Sequence, residues 1–353
     1  MLRLPRFTFH TPRSLDEALR ILDAEGAAEG RARPVAGGTD LWPNMKRRHQ
    51  SAEAVVSLMG VGGLAGVTVD GVTATGVSTA GEMRLGATTT LTDVAAHPQV
   101  RRRYPALARA VTSVSSPPLR NMGTLGGNVC VDTRCTYYNQ TEEWRSAIDY
   151  CMKEAGTVCW VAPSSPRCWA HSASDSAPML AALGARVRLV SPEGERAVAL
   201  EDLYRDDGID YLAKRPQELV AEVLLPAAST AERCRSSFWK LRRRGSIDFA
   251  VLSAAATVWT AADGTVTDAR VYLGAVASHP SAAARTAEAL IGRKLDEATI
   301  RAAAALARRD ATPMDNTDFQ AQWRGAVVGR YVEAALRECA GLDPGIQPPK
   351  HPL

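Results

Sequence analysis

Arg33-Pro-Val-Ala-Gly-Gly-Thr-Asp-Leu41 and, further along, Asn121-Met-Gly-Thr-Leu-Gly-Gly-Asn128 decide how this chain reads. Each is a glycine pair followed by a small polar residue. Glycine lets backbone approach a ligand closely and aim N–H groups at phosphate oxygens. Thr39 and Asn128 would add a hydroxyl and an amide. Taken alone, either stretch reads equally well as a tight turn. Neither matches G-x-G-x-x-G or a Walker A loop, so a Rossmann fingerprint is not supported. Gly60-Val-Gly-Gly63 reads as a plain turn.

Around these loops the pattern alternates between helix and strand. Ser14-Leu-Asp-Glu17 is a capping box, and Leu15, Ala18, Leu19 and Leu22 share one helical face behind it. Arg33 to Leu41 is a short strand running into the first glycine loop. Thr90 to His97 predicts a helix stopped by Pro98, and Tyr104 to Val114 another with Pro105 in its first turn. Ala177 to Leu183 is helical. Ala185 to Leu200 alternates around Pro192-Glu-Gly194 as a hairpin, Glu218 to Leu225 and Phe238 to Leu241 are strands, and Phe249–Thr260 with Val266–Val276 forms a second hairpin around Asp263-Gly264. From Ser281 to Cys339 the chain is rich in Ala, Leu and Arg at helical spacing. Four prolines mark the tail, Gly341–Leu353, as extended. The expectation is an α+β protein with a boundary near residue 230 and no internal repeat.

With 353 residues and 46% apolar content, the chain can bury more than one core. A formal charge of +4 is small for this length and no basic block is interleaved with aromatics, so nucleic acid is not expected as a partner. Arg101–Arg103 and Arg242–Arg244 read as solvated faces. No apolar run is long enough to span a bilayer, so no membrane is expected. The N-terminal residues lack the features of a secretory signal, so the expected location is cytoplasmic, where disulfides are rare.

That compartment makes the cysteines informative. Five of the seven, Cys130, Cys135, Cys151, Cys159 and Cys168, fall in a stretch without an obvious strand or long helix. A loop of this length inside a compact domain is functional or disordered. Tyr137, Tyr138, Trp144, Tyr150 and Trp160 let this one bury itself. Structural zinc sites favour tight C-x2-4-C pairs, whereas the intervals here are wide, 5, 16, 8 and 9 residues. An iron–sulfur cubane accepts thiolates from a loop wrapped around it. Spacing leaves an iron–sulfur cluster, zinc and incidental thiols all open. Cys234 and Cys339 read as isolated buried thiols. No HExxH or Ser/His/Asp arrangement occurs, and Asp248 reads as readily as a structural ion pair as a functional group.

Together, PVAGGTDLWPNMK and RNMGTLGGN resemble the FAD-binding subunit of the molybdenum hydroxylases, the xanthine dehydrogenase and carbon monoxide dehydrogenase group. Phe238-Trp-Lys-Leu-Arg242 and Ile247-Asp-Phe-Ala250 resemble its next block. The resemblance runs from about residue 5 to 340. It implies a vanillyl-alcohol-oxidase (PCMH)-type FAD-binding domain of two α+β subdomains over 1–229, a CO dehydrogenase flavoprotein-type α+β domain over 230–340, and a Pro-rich tail over 341–353. It further implies that Pro34, Val35, Ala36, Gly37, Gly38, Thr39, Asp40 and Leu41 cradle the FAD pyrophosphate. Gly123, Thr124, Leu125, Gly126, Gly127 and Asn128 then form the second loop, Val114 and Thr136 line the site, Asp175 bonds the ribose or adenine side, Lys240 lies near the isoalloxazine, and Val220 packs on the ring.

Family members mostly run from GGN directly into a stretch like Ala173-Ser-Asp-Ser-Ala-Pro178. The insertion over about 131–171, with DTRCTYYNQ, EEWR and YC, resembles that of the flavoprotein (beta) subunit of 4-hydroxybenzoyl-CoA reductase. It implies a [4Fe–4S] cluster on Cys135, Cys151, Cys159 and Cys168, with Cys130 left over. The implied partners are a large molybdopterin-containing subunit, a small [2Fe–2S] subunit, and ferredoxin or another external electron carrier, in a heterohexamer. An oxidising hydroxylase of purines, aldehydes or N-heterocycles, and a zinc-stabilised FAD protein, are the alternatives.

Overall fold

In the computed structural model, residues 2–69, 81–227 and 233–346 are described. The boundary expected near residue 230 and residues 347–353 of the tail lie outside them.

The chain opens with strand β1 (Thr8–His10), helix α1 (Leu15–Ala24), β2 (Ala32–Val35), α2 (Leu41–Lys46) and β3 (Ala54–Ser57). Ser14 accepts from the Glu17 N–H at 3.2 Å, and the Glu17 carboxylate accepts from Arg13 N at 2.8 Å, so the capping signal starts α1 where expected. Ala18, Leu19 and Leu22 face a small core with Val56 and Leu64. Each buried leucine there contributes about 2 kcal/mol. The three strands are parallel in the order β1-β3-β2.

Next come β4 (Val67–Val69), β5 (Met83–Gly86), and helices α3 (Leu91–Ala96), α4 (Pro98–Arg103), α5 (Pro105–Thr112), α6 (Pro117–Arg120) and α7 (Leu125–Val129). Thr90 caps α3 by accepting from Asp93 N at 3.1 Å. Pro98 ends that helix, then serves as the first residue of α4, where a missing N–H costs nothing. The cysteine stretch contains one short helix, α8 (Glu142–Ala147). Helix α9 (Ser176–Ala182) follows, then β6 (Arg186–Ser191), β7 (Gly194–Ala199) and β8 (Leu219–Leu225). These strands form an antiparallel sheet in the order β4-β5-β8-β6-β7, and α5, α7 and α9 pack with it around the largest core.

The remainder is a second antiparallel sheet, β9 (Cys234–Leu241), β10 (Leu252–Thr260), β11 (Val266–Gly274) and β12 (Ser281–Ala282), in the order β12-β11-β10-β9. Helices α10 (Ala284–Glu288), α11 (Glu297–Leu306) and α12 (Ala321–Cys339) complete it, with α11 and α12 supplying its core. Strand β9 joins the two parts. Arg109 of α5 donates two 2.6 Å bonds to Glu338 of α12, which also accepts from Ser237 and from Trp239 Nε1. Among the described residues, no helix is long and apolar enough to cross a membrane.

Candidate cofactor site

The two glycine loops meet back to back. A Cβ on Gly37 would lie 1.6 Å from the Met122 carbonyl oxygen, so only glycine allows the approach. Gly38 adopts φ +69°, and a side chain there would strike the Trp42 indole. Thr39 Oγ1 lies against Gly123. Ala36 to Leu41 are half-buried, whereas Val35 is buried in a satellite core and Pro34 is exposed.

Part of the second stretch, Leu125 to Asn128, is not a free loop, as the sequence suggested, but lies in the short helix α7. Thr124 caps it by accepting from Gly127 N at 3.1 Å, and its Leu125 is buried in the main core. Leu125 N and Gly126 N donate to Thr89 O and Ala87 O at 3.0 and 2.8 Å. A Cβ on Gly126 would come within 2.6 Å of the Ala87 methyl. Gly127 differs from its neighbours. It is exposed, and a Cβ there would meet only Thr124 Oγ1, at 3.0 Å.

Asn128 turns its side-chain oxygen inward, accepting from Ser174 Oγ, Ser176 N and Ser176 Oγ at 3.0, 3.2 and 2.6 Å. It thereby fixes the start of α9 and the residue just before it, Asp175. The Asp175 carboxylate accepts from Lys240 Nζ at 2.6 Å, and both side chains are buried. Lys240 also donates to the carbonyls of Ser113 and Asp248, each at 3.1 Å. Burial pushes the Asp175 carboxyl up, against the pull of Lys240. The other oxygen, Oδ1, is buried with no hydrogen-bond partner. Asp175 and Lys240, which the resemblance assigns to different parts of the flavin, are thus paired with each other. Asp248 is structural, accepting from Arg243 N and Arg244 N at 2.8 and 3.0 Å. Val220 is buried in the main core and Val114 packs at that core's edge. Thr136 stands apart, exposed, with its N–H donating to Asn316 O at 2.9 Å.

The four insertion cysteines named from the sequence are all buried, and each has electrostatic contact with at least one other. Cys159 and Cys168 are hydrogen-bonded to each other, which pulls Cys159 down to about 5 and pushes Cys168 up. Burial pushes Cys135 up to about 11 and raises Cys151 as well. Ala170 N donates to Cys168 Sγ at 3.4 Å, and neighbouring backbone N–H groups pull Cys135, Cys151 and Cys159 down against burial. Among the described residues, no group of three or more His, Cys, Asp or Glu side chains is arranged to hold a metal ion. Cys130 lies outside the group, half-buried, with its carbonyl accepting from Tyr211 OH at 3.2 Å.

Several pinning residues escaped the sequence reading. Arg134 spans from the insertion to Asp40 and Asn44 beside the first glycine loop. Half-buried Lys153 donates to Asp132 Oδ1, Thr133 Oγ1 and Gly208 O at 2.8, 2.8 and 2.6 Å. Arg145, 1% exposed, is met by Glu142, Glu154 and Arg47 O. The adjacency of Arg134 to Cys135 was a signal; the other two gave none.

Residues 5–228 match the family model described as the FAD binding domain in molybdopterin dehydrogenase, and residues 236–339 match the CO dehydrogenase flavoprotein C-terminal domain. The chain belongs to this family of FAD-binding proteins. The aldehyde oxidoreductase FAD-binding subunit PaoB of Escherichia coli (strain K12) is 34% identical over 264 residues, covering 70% of this chain and 76% of the relative. The carbon monoxide dehydrogenase medium chain of Afipia carboxidovorans is 28% identical over 330 residues, covering 94% and 95%. A Cu,Mo-CO dehydrogenase chain, in its cyanide-inactivated form, superposes with a TM-score of 0.76 at 25% identity, covering 96% of this chain and 99% of that one.

For a FAD-binding protein of this family, the residues present fit the cofactor on two independent grounds. Gly37, Gly38 and Gly126 are explained by protein packing alone, but Gly127 is not. Gly127 is solvent-exposed with only Thr124 Oγ1 near its Cβ position, which leaves its backbone open to approach by a ligand. The orphaned Asp175 Oδ1 is the second ground, because a buried carboxylate oxygen without a donor is costly until one arrives. The fold is the α+β FAD-binding arrangement followed by the CO dehydrogenase flavoprotein-type C-terminal domain.

Proposed function

We propose that this chain is the electron-transfer flavoprotein subunit of a molybdenum hydroxylase-type complex, and that its insertion holds a [4Fe–4S] cluster on Cys135, Cys151, Cys159 and Cys168. The carrying observation is the set of four buried thiols gathered in one insertion, with Cys168 Sγ accepting from Ala170 N at 3.4 Å. Such hydrogen bonds stabilise thiolate charge and tune cluster potentials. When bound, FAD exchanges one or two electrons and a [4Fe–4S] cluster exchanges one, redox chemistry that no side chain here supplies.

The protein's part is to hold, orient and shield. Pro34 to Leu41 and Gly123 to Asn128 form the FAD cradle in this reading, with Asp175 and Lys240 acting as one buried unit. The domain limits are 1–229 and 230–340. The partners are a large molybdopterin subunit and a small [2Fe–2S] subunit, with ferredoxin or another carrier outside the complex. A reducing cytoplasm would keep the thiols free.

For the substrate, we take the oxidising reading, with an aldehyde as the class, because the PaoB relative is named an aldehyde oxidoreductase subunit. The second reading is 4-hydroxybenzoyl-CoA reduction, favoured by the resemblance carried by Asp132–Gln140 and the later cysteines. Iron, acid-labile sulfide, zinc and flavin content of the anaerobically purified chain tests the cofactor set. About four iron and four sulfide per FAD supports it; zinc without sulfide discards the cluster. Assay of the assembled complex with aldehydes plus a dye acceptor, against 4-hydroxybenzoyl-CoA plus a low-potential donor, separates the substrates.

A further inference from the structure

We infer that Asn316, held by Arg324, is a positioning residue through which the C-terminal domain fixes Cys135 and Cys168. The consequence for a cluster rests on the cluster reading above; the contacts stand apart from it. Asn316 is buried and faces the insertion with two groups. Its carbonyl accepts from Thr136 N at 2.9 Å, and its Nδ2 donates to Trp169 O at 2.5 Å. Thr136 directly follows Cys135, and Trp169 directly follows Cys168. One residue from the other domain thus grips, through its backbone carbonyl and its side-chain amide, the backbone beside two thiols that lie far apart in the chain.

Asn316 is itself secured. Its Oδ1 accepts from Arg324 Nη1 at 3.2 Å. Arg324, on α12, is 0% exposed, and its other donors meet Val251 O at 3.0 Å, Met314 O at 2.8 Å and Ala275 O. None of these partners is a carboxylate, and burial brings the guanidinium down to about 10. A buried cation with this many oriented donors demands that its acceptors stay in place. The segment carrying Met314 and Asn316 is therefore rigid, and that rigidity is passed to the insertion. The insertion's end is also tied by Ser172 N to Ala277 O at 2.8 Å, so loss of Asn316 should loosen the insertion without detaching it.

The test is Asn316→Asp in the full-length chain. The variant keeps the acceptor for Arg324 and the backbone carbonyl for Thr136, but loses the donor to Trp169. In iron-free chain, carbamidomethylation followed by peptide mapping should show Cys168 reacting about tenfold faster than in the parent, as expected for removing one hydrogen bond from a local opening equilibrium. Cys135 should change less, and Cys234 and Cys339, internal controls in the C-terminal domain, should not change. Asn316→Ala, which also cuts the tie to Arg324 that holds the backbone carbonyl under Thr136, should speed both Cys135 and Cys168. In iron-loaded chain, Asn316→Asp should release iron faster to a ferrous chelator at an unchanged flavin-to-protein ratio. Equal rates at Cys168 in parent and Asn316→Asp, or equal acceleration of the control thiols, would overturn the inference. If the parent binds no iron, the cluster reading falls, while the alkylation pattern still decides whether Asn316 is the clamp.

Discussion

Arg134 of the cysteine insertion closes directly on Asp40 of the first glycine loop, so the two sequence features are mechanically one site. The guanidinium also donates to Asn44 Oδ1 at 3.0 Å and lies 5.3 Å over the Phe249 ring. Behind it, Arg134 and His171 exchange backbone hydrogen bonds of 2.8 Å, which close the base of the insertion. Burial pushes the Asp40 carboxyl up, against the pull of Arg134. Arg134→Met leaves that carboxylate with a 2.9 Å bond from Asn44 Nδ2 in place of its cation. The expected loss is about 2 kcal/mol of stability, read as a lower Tm of FAD-free chain, together with weaker FAD binding in a fluorescence titration. Unchanged values for both would show that the insertion does not support the loop.

The glycines of the two loops should respond differently to substitution. Gly37→Ala forces a methyl into the Met122 carbonyl and should cost about 3 kcal/mol in the FAD-free protein. Gly127→Ala adds its methyl where only Thr124 Oγ1 is near, so the FAD-free Tm should move little. Its effect should appear as a rise of about tenfold or more in the FAD dissociation constant, the equivalent of 1.4 kcal/mol. Normal FAD affinity in Gly127→Ala would remove the second loop from the cradle.

Local signals were legible and long-range ones were not. Ser14 and Thr90 cap their helices because a side-chain oxygen and an N–H three residues on need nothing else. The hairpins at Pro192–Gly194 and Asp263–Gly264 follow from alternation and turn chemistry. Strand β9 begins at Cys234, ahead of the apolar run that marked it, because Cys234 to Ser237 pair with β10 and need no apolar signal of their own. The Leu125–Val129 turn is helical despite two glycines, since contact with Ala87 and Thr89 overrides propensity. Nothing in the sequence places Lys240 on Asp175, or Asn316 between Cys135 and Cys168. The cysteines were legible as a group; their burial around one another is a product of the fold.

The cysteines divide cleanly into tests. Cys151→Ser should lower iron content while leaving FAD in place, since Cys151 lies in the thiol group and not in either glycine loop. Cys130→Ser should leave iron at the parent level, because Cys130 packs at the edge of the main core, outside that group. Equal iron in parent and Cys151→Ser would dismiss Cys151 as a ligand, and iron loss in Cys130→Ser would redraw the set.

His171 makes the base of the insertion acid-sensitive. It is buried, its Nδ1 lies 3.0 Å from Ser172 O, and burial, with Arg324 and Arg134 nearby, brings it down to about 4. A histidine whose folded value lies below its unfolded 6.5 binds its proton more readily when unfolded. Its contribution is therefore intact above pH 6.5, shrinks as pH falls towards 4, and changes no further below that. The amount at stake is of order 3 kcal/mol. His49, also brought down to about 4, acts in the same sense. Asp40 and Asp175, whose carboxyls are pushed up, act in the opposite one. Those contributions are common to the parent and His171→Asn, so comparing their denaturant midpoints at pH 7.5 and 5.0 isolates His171. The parent should lose more stability between the two pH values than the variant; an equal loss would mean that His171 is not neutral in the folded protein.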